Sequence, residues 1–293
     1  MSTARWLRIL ARSPSPEHTD LLLEGLVAYG ASSVEQRVEK TDAGATDVAV
    51  VYIPEADDAE RVGQDVRRFL AGFVGRPVEV TWDWMAEEDW SKEWRRGLGA
   101  RRVGERFVVT PTWIEPEAED RIVITIDPQM AFGTGEHATT RGMLRLMERA
   151  VRNGDTVLDV GAGSAILAIA AVRLGAVHAD AVESDPDAIE NAQENIDRNG
   201  VAQAVELACA LVDTTWLAGR NAYYDVIVAN VLSGVLRPLL PSFHEALRPG
   251  GRLLLSGILQ TEADGMIDAA RAAGFALAAE DREEEWWSGL LTR

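Results

Sequence analysis

From residue 120 onward the chain repeats one pattern: a short apolar run, a turn, a stretch at helical spacing, then another apolar run. The segments "DTVLDVGAG", "HADAVESD", "AVELACA", "YDVIVANV" and "GRLLLSGI" have the length and apolar character of strands buried on both faces. Most are separated by "AILAIAAVRLGA", "PDAIENAQENIDRNG" and "VLRPLLPSFHEALRPG", which place apolar residues on one side of a helix. A parallel neighbour can be reached only by a crossover long enough to form a helix. The pattern therefore predicts an α/β fold, with a parallel sheet covered by helices on both faces.

The first 83 residues follow another rule. "RWLRILA", "SVEQRVE", "DVAVVYI" and "PVEVTWDW" read as strands, and "PEHTDLLLEGLVAYG" and "DDAERVGQDVRRFLAGF" as amphipathic helices. The order βαββαβ is that of a small ferredoxin-like α+β domain over residues 1–83. It holds nothing that resembles catalytic apparatus, which assigns it to substrate docking. Residues 84–119 form a bridge. Four of the nine tryptophans, Trp82, Trp84, Trp90 and Trp94, fall in thirteen residues around its start. Trp90 and Trp94 are one helical turn apart and share a face, as an apolar plug between domains would require. The third segment, residues 120–293, is the α/β domain.

Charge narrows the class of partner. The chain carries 47 acidic and 29 basic residues, a net charge of −18, and the excess runs along its whole length. Such a surface repels phosphate backbones, so a direct nucleic-acid substrate is not expected and a basic partner is. A single cysteine, Cys209, excludes an internal disulfide and fits a reducing compartment, the cytoplasm. Four scattered histidines and that cysteine make no zinc pattern, so no metal is expected. No apolar run approaches the roughly 20 residues of a membrane helix, and the N-terminus reads as no signal peptide.

Chemistry concentrates in three places. "VLDVGAGSA" is a strand ending in a glycine turn that opens a helix, and Gly161 and Gly163 let the backbone approach a ligand without a Cβ in the way. Glu183 ends the next strand, 22 residues after Gly161, where a carboxylate can hold ribose hydroxyls. Asn230 ends "YDVIVAN", at the strand edge where ligands of open α/β sheets bind. A dinucleotide fingerprint wants a third glycine where this chain has Ile166, and Asp159 would sit close to a pyrophosphate. S-adenosylmethionine has no phosphate, and its cationic end tolerates a nearby carboxylate. The residues favour it as cofactor.

The loop "MAFGTGEHATT", Met130 to Thr140, joins these parts. "AFGTGEHATT", "VLDVGAGSAILAIAA", "VESDP" and "VANVLSG", in that order and spacing, resemble the PrmA family, which methylates the eleventh protein of the large ribosomal subunit. The resemblance covers essentially the whole chain. It implies a class I, Rossmann-like methyltransferase domain, with Thr140, Gly161, Glu183 and Asn230 at cofactor-contacting positions. It also implies that the N-terminal domain grips the ribosomal protein, and that lysine ε-amines and an N-terminal α-amine are methylated repeatedly. Three departures stand out: Ala165 where another glycine is usual, Glu183 where aspartate is frequent, and Ala138 where proline is frequent.

From these readings, Thr140 offers its hydroxyl as a helix cap or to the cofactor, and Gly133 and Gly135 let the loop close over the methionine end. Asn230 orients amine or cofactor, with no protein nucleophile. A single loop histidine, His137, reads as a structural hydrogen-bonder ahead of a base. The expected enzyme acts as a monomer, on its ribosomal protein free or on the ribosome. Two other readings stay open: a related methyltransferase acting on another basic protein, and a non-catalytic adenosyl-binding adaptor. A nicotinamide-dependent oxidoreductase is a more distant third.

Overall fold

The computed structural model describes residues 5–13, 15, 18–29, 34–41, 44–54, 58–86, 99–127 and 135–293. The chain divides into two compact units, Met1–Gly97 and Leu98–Arg293. In the first, β1 (Arg5–Arg12), α1 (Thr19–Tyr29), β2 (Glu35–Thr41), β3 (Gly44–Pro54), α2 (Ala59–Val74) and β4 (Glu79–Ala86) follow the order βαββαβ. The strands form one antiparallel sheet in the order β2-β3-β1-β4. Period-2 alternation puts Leu7, Ile9 and Ala11 of β1 on one face with Ala49 and Val51 of β3, where Leu22 and Leu26 of α1 and Val66 and Leu70 of α2 cover them. Asp58 starts α2 by accepting from the Arg61 amide at 3.0 Å, and Gly75 ends it in the left-handed region, φ +76°.

Trp82 packs against this core. A Cβ on Gly63 of α2 would lie 2.1 Å from its indole, so the helix can rest on that ring only because position 63 is glycine. Trp84 is 37% exposed. Trp90 and Trp94 lie outside the described residues.

In the second unit, the central sheet has seven strands in the order β10-β9-β8-β11-β12-β14-β13. These are β8 (Thr156–Val160), β9 (His178–Glu183), β10 (Val205–Cys209), β11 (Tyr224–Asn230), β12 (Leu247–Leu259), β13 (Ala276–Glu283) and β14 (Trp286–Thr292). The five apolar runs read from the sequence are the parallel part, β8 to β12. The purely parallel expectation is corrected at one edge, where β14 and β13 run antiparallel. β13, "ALAAEDRE", escaped the apolar pattern because it is a largely exposed edge strand.

The strands face two helical layers. Val226 and Val228 of β11 enter one apolar cluster, with α3 (Ala138–Ala150), α4 (Ile166–Leu174) and α5 (Pro186–Arg198). Ile227 and Ala229 enter the other, with α7 (Ser233–Ala246) and α8 (Ala263–Ala272). The short α6 is Thr214–Leu217. Expected to continue to Gly250, α7 stops at Ala246 because Leu247 is buried and already paired with Tyr224 in the sheet. It runs through Pro238 and Pro241, whose rings and missing donors lie on its exposed side, opposite buried Leu236, Leu239, Leu240 and Phe243.

The segment "RIVITID" supplies β7 (Ile122–Thr125), which joins a separate small sheet with β5 (Arg101–Val103) and β6 (Phe107–Thr110). Three asparagines one turn apart on α5 satisfy the backbone along and just beyond the free edge of β7. Asn199 accepts from the Thr125 amide (2.9 Å) and donates to the Thr125 carbonyl (2.7 Å). Asn195 accepts from the Asp127 amide at 3.0 Å, and Asn191 donates to the Asp127 carbonyl at 2.9 Å. Asn195 also reaches the Ser164 carbonyl, so the ladder ties this edge to the glycine turn.

Among the described residues, no helix is long and apolar enough to cross a membrane.

Candidate active site

The carboxyl ends of β8, β9 and β11 meet where the strand order reverses, since β9 and β11 flank β8. This is the crevice where open α/β sheets bind ligands. Gly161 follows β8 with φ +67° and Gly163 with φ +52°; the Gly161 and Ala162 amides both reach the Val182 carbonyl, at 2.9 and 3.1 Å. A Cβ on Gly161 would lie 2.6 Å from Val231 Cγ1, so the turn and the β11 loop are in contact because position 161 is bare. Ala165, one of the departures noted above, N-caps α4 with φ +64°. It takes the left-handed conformation that a glycine would take more easily.

Glu183 knits two turns together. One carboxylate oxygen accepts from the Gly163 amide at 2.9 Å, and the other from the Ser184 and Asp185 amides at 2.7 and 2.8 Å. An ionised carboxylate has lone pairs left after these bonds, and it can only accept, which suits a ribose diol. Asp159 lies beneath the turn, fully buried. It accepts from the Ala168 amide at 2.9 Å, and its other oxygen has no protein partner. Burial, with the Glu183 charge adding to it, pushes the Asp159 carboxyl up to about 7 against the pull of the Ala168 amide.

A cavity of about 220 Å³ opens above the turn, and Thr140, Gly161, Gly163, Glu183 and Asn230 all line it. The five positions picked from sequence, spread over some ninety residues, thus share one space. Thr140 does not cap α3. That place belongs to His137, whose Nδ1 faces the Thr139 amide and lies 2.7 Å from Thr139 Oγ1. Thr140 sits one turn in, fully buried, and its hydroxyl oxygen has no protein partner; nor does the buried Asn230 Oδ1. Orphan oxygens this deep cost about 1–3 kcal/mol each unless a ligand or water meets them. Gly135 has φ +83°, and its missing Cβ would meet Val109; Gly133 lies outside the described residues.

A second cavity of about 440 Å³ adjoins the first and shares Asn230 and Val231 with it. Its other walls are His137, Thr139, Leu232, Val235, Gly257 and Trp286. The His137 ring meets Trp286 edge-on, with centroids 5.0 Å apart. Burial lowers the His137 pKa, partly opposed by the Glu284 charge. In the tautomer that accepts the Thr139 amide at Nδ1, the neutral ring carries its proton on Nε2. Gly257, Val231 and Trp286 were not singled out in the sequence. Trp286 reaches the site through the β13–β14 hairpin, which α3 holds: Arg141 bonds Glu283 and Glu284, and Arg145 bonds Asp281 and Glu283. At the opposite end of β9, the donor atoms of His178, Asp180 and Glu206 lie within 4.8 Å of one another. There Asp180 is already bonded by His178 at 2.8 Å and the Tyr224 hydroxyl at 2.6 Å.

Comparison with known proteins decides the family. The model of the ribosomal protein L11 methyltransferase (PrmA) family matches residues 22–293. The chain belongs to the PrmA family. A ribosomal protein L11 methyltransferase of Pelotomaculum thermopropionicum is 37% identical over 96% of each chain. One from Dechloromonas aromatica is 44% identical, over 92% of this chain and 93% of its own. The solved structure of a ribosomal protein L11 methylase from Lactobacillus delbrueckii subsp. bulgaricus matches with a TM-score of 0.59 at 31% identity. It covers 67% of this chain and 98% of that one. In this PrmA-family chain, residues of "AFGTGEHATT" and "VLDVGAG" line the paired cavities.

Proposed function

We infer that this PrmA-family chain transfers methyl groups from S-adenosylmethionine to amino groups, lysine ε-amines and an N-terminal α-amine, of ribosomal protein L11. One observation carries the reading: a cavity over the glycine turn, edged by Thr140 and Glu183, and a largely apolar cavity share Asn230 as a common wall. The cavity over the glycine turn is the cofactor's place. Glu183 faces it as an acceptor for ribose hydroxyls, Gly161 and Gly163 form its floor, and Thr140 Oγ1 and Asn230 Oδ1 are acceptors with no protein donor. When bound, S-adenosylmethionine supplies a methyl group made electrophilic by its sulfonium.

The protein's part is to prepare the amine. A lysine has pKa ~10.4, so presenting it neutral at pH 7 costs about 4–5 kcal/mol. The second cavity, walled by Trp286, Leu232, Val235 and Val231, favours the uncharged form through its apolar lining once the docked acceptor covers it. Asn230 Oδ1 accepts a hydrogen from that amine and orients it, and His137 Nε2–H closes the wall. No side chain acts as nucleophile. The first unit, read as residues 1–83, docks the ribosomal protein, whether free or on the ribosome. The acidic surface selects a basic protein and no direct nucleic-acid substrate, and the chain works as a cytoplasmic monomer.

Mass spectrometry of ribosomal proteins incubated with the enzyme and S-adenosylmethionine tests this, with L11 expected to gain mass in single-methyl steps. Methylation of a different basic protein would redirect the substrate assignment. Cofactor binding with no methyl on any ribosomal protein would make the chain an adaptor.

A further inference from the structure

The β12 run "LLLSGIL" places a glycine at 257 in a strand whose neighbours are buried. Between Leu255 and Ile258 the pairing with β14 slips: Leu255 faces Gly289 and Ile258 faces Trp287, so β12 holds one residue more than its partner over this interval. Gly257 sits in that bulge with φ +78°. A Cβ there would lie 2.6 Å from the Val231 carbonyl oxygen, 2.8 Å from its carbon and 3.1 Å from its nitrogen. The β12 backbone therefore lies directly against the peptide that follows Asn230. From the other side, the Val231 side chain packs on Gly161, where a Cβ would be 2.6 Å from Cγ1. Val231 is held between two bare backbone positions, one on the cofactor turn and one on the wall of the apolar cavity.

We propose that Gly257 and Val231 are positioning residues for methyl transfer. The bulge at Gly257 and the glycine turn at Gly161 clamp Val231, and so fix the Asn230 amide between the two cavities. The inference rests on the reading of Asn230 as the residue at the transfer point. Gly257 lines the apolar cavity alone, whereas Val231 lines both, so a side chain at 257 acts on the cofactor space only through the displaced Val231 peptide. Misplacement by about 1 Å can cost ~100-fold in rate, and a smaller retreat costs proportionately less.

The test compares Gly257→Ala, Gly250→Ala, Val231→Ala and Asn230→Ala in the full chain, with ribosomal protein L11 as acceptor. Gly250 lies on the same strand with φ +75° and no atom within 4 Å of its missing Cβ. Its alanine variant therefore carries the left-handed strain without the clash. Gly257→Ala should lower kcat about tenfold or more, a larger loss than its change in KM for the acceptor or in calorimetric affinity for S-adenosylmethionine. The side-chain amide resonance of Asn230 should shift in Gly257→Ala and stay in place in Gly250→Ala. Gly257→Ala turning over like Gly250→Ala, with the Asn230 resonance unmoved, overturns the inference. If Gly257→Ala fails to fold, Val231→Ala decides: kcat and the Asn230 resonance should both change, and no change in either overturns it. Unimpaired turnover in Asn230→Ala would instead overturn the underlying reading of the site. Loss there with none in Gly257→Ala and Val231→Ala overturns the inference alone.

Discussion

At Ala165 two small energies oppose each other. The residue is buried and left-handed at φ +64°, which costs a non-glycine residue about 1–2 kcal/mol. A glycine would remove that cost but lose about 0.5–1 kcal/mol more backbone entropy on folding. The balance favours Ala165→Gly by roughly 0.5–1 kcal/mol, and a thermal melt should show the midpoint rise by about 1–4 °C. A fall in midpoint would mean that the methyl group packs better than its backbone angle suggests. Asp159 makes a second prediction at this scale. Its folded pKa, about 7, lies above the unfolded value, so the proton it keeps favours the fold at low pH, and that advantage is lost as pH rises through about 7. A cation bound over the glycine turn prefers the ionised carboxylate. Affinity for S-adenosylmethionine should therefore strengthen as pH rises through about 7, and the trend should vanish in Asp159→Asn. Calorimetry at pH 5.5–8.5 checks both. Glu183 carries a mixed load: it accepts from three backbone amides as well as facing the cavity. Both oxygens accept amides, so Glu183→Gln turns its NH2 toward one set of donors and disturbs the turns as well as ribose binding. A thermal melt run beside calorimetric S-adenosylmethionine affinity reads the two losses separately.

Among the elements, α5 does more than cover the sheet. Its residues Asn191, Asn195 and Asn199 stand in for the strand that β7 lacks along its free edge. Asn199→Ala leaves the Thr125 amide and carbonyl without those partners, a loss of about 1–3 kcal/mol. Denaturant titration should record it, and the Thr125 amide should exchange with solvent faster than in the parent. Unchanged exchange at Thr125 would mean that water serves this edge as well as the asparagine. The central strands and α4 were legible as elements because each is an apolar run, and α5 and α7 because apolar residues recur in them at helical spacing. The β13–β14 hairpin was not, because β13 earns its place through ion pairs to Arg141 and Arg145 of α3 and not through apolar content. That is also why Trp286 was missed. Its position beside His137 depends on a contact between segments about 150 residues apart.

For the molecule as a whole, the proposed division of labour predicts what each unit does alone. β4 runs to Ala86, so a cut at residue 84 would sever a strand of the first sheet, whereas residues 98–293 retain a complete compact unit. That fragment should bind S-adenosylmethionine as tightly as the full chain. It should methylate ribosomal protein L11 about tenfold more slowly or worse at sub-saturating acceptor, which corresponds to a docking contribution of about 1.4 kcal/mol or more. Equal rates would remove docking from the first unit. The sequence by itself determined the α/β class, the βαββαβ order and the five cavity positions from Thr140 to Asn230. Each of these rests on a local signal: strand periodicity, a glycine turn, or a polar residue ending an apolar run. Only the tertiary structure decided that His137 caps α3 in place of Thr140, that Trp82 packs on Gly63, and that Gly257 and Val231 meet beside Asn230. Those facts depend on which surfaces touch, and close packing sets that between residues whose spacing along the chain carries no trace of the contact.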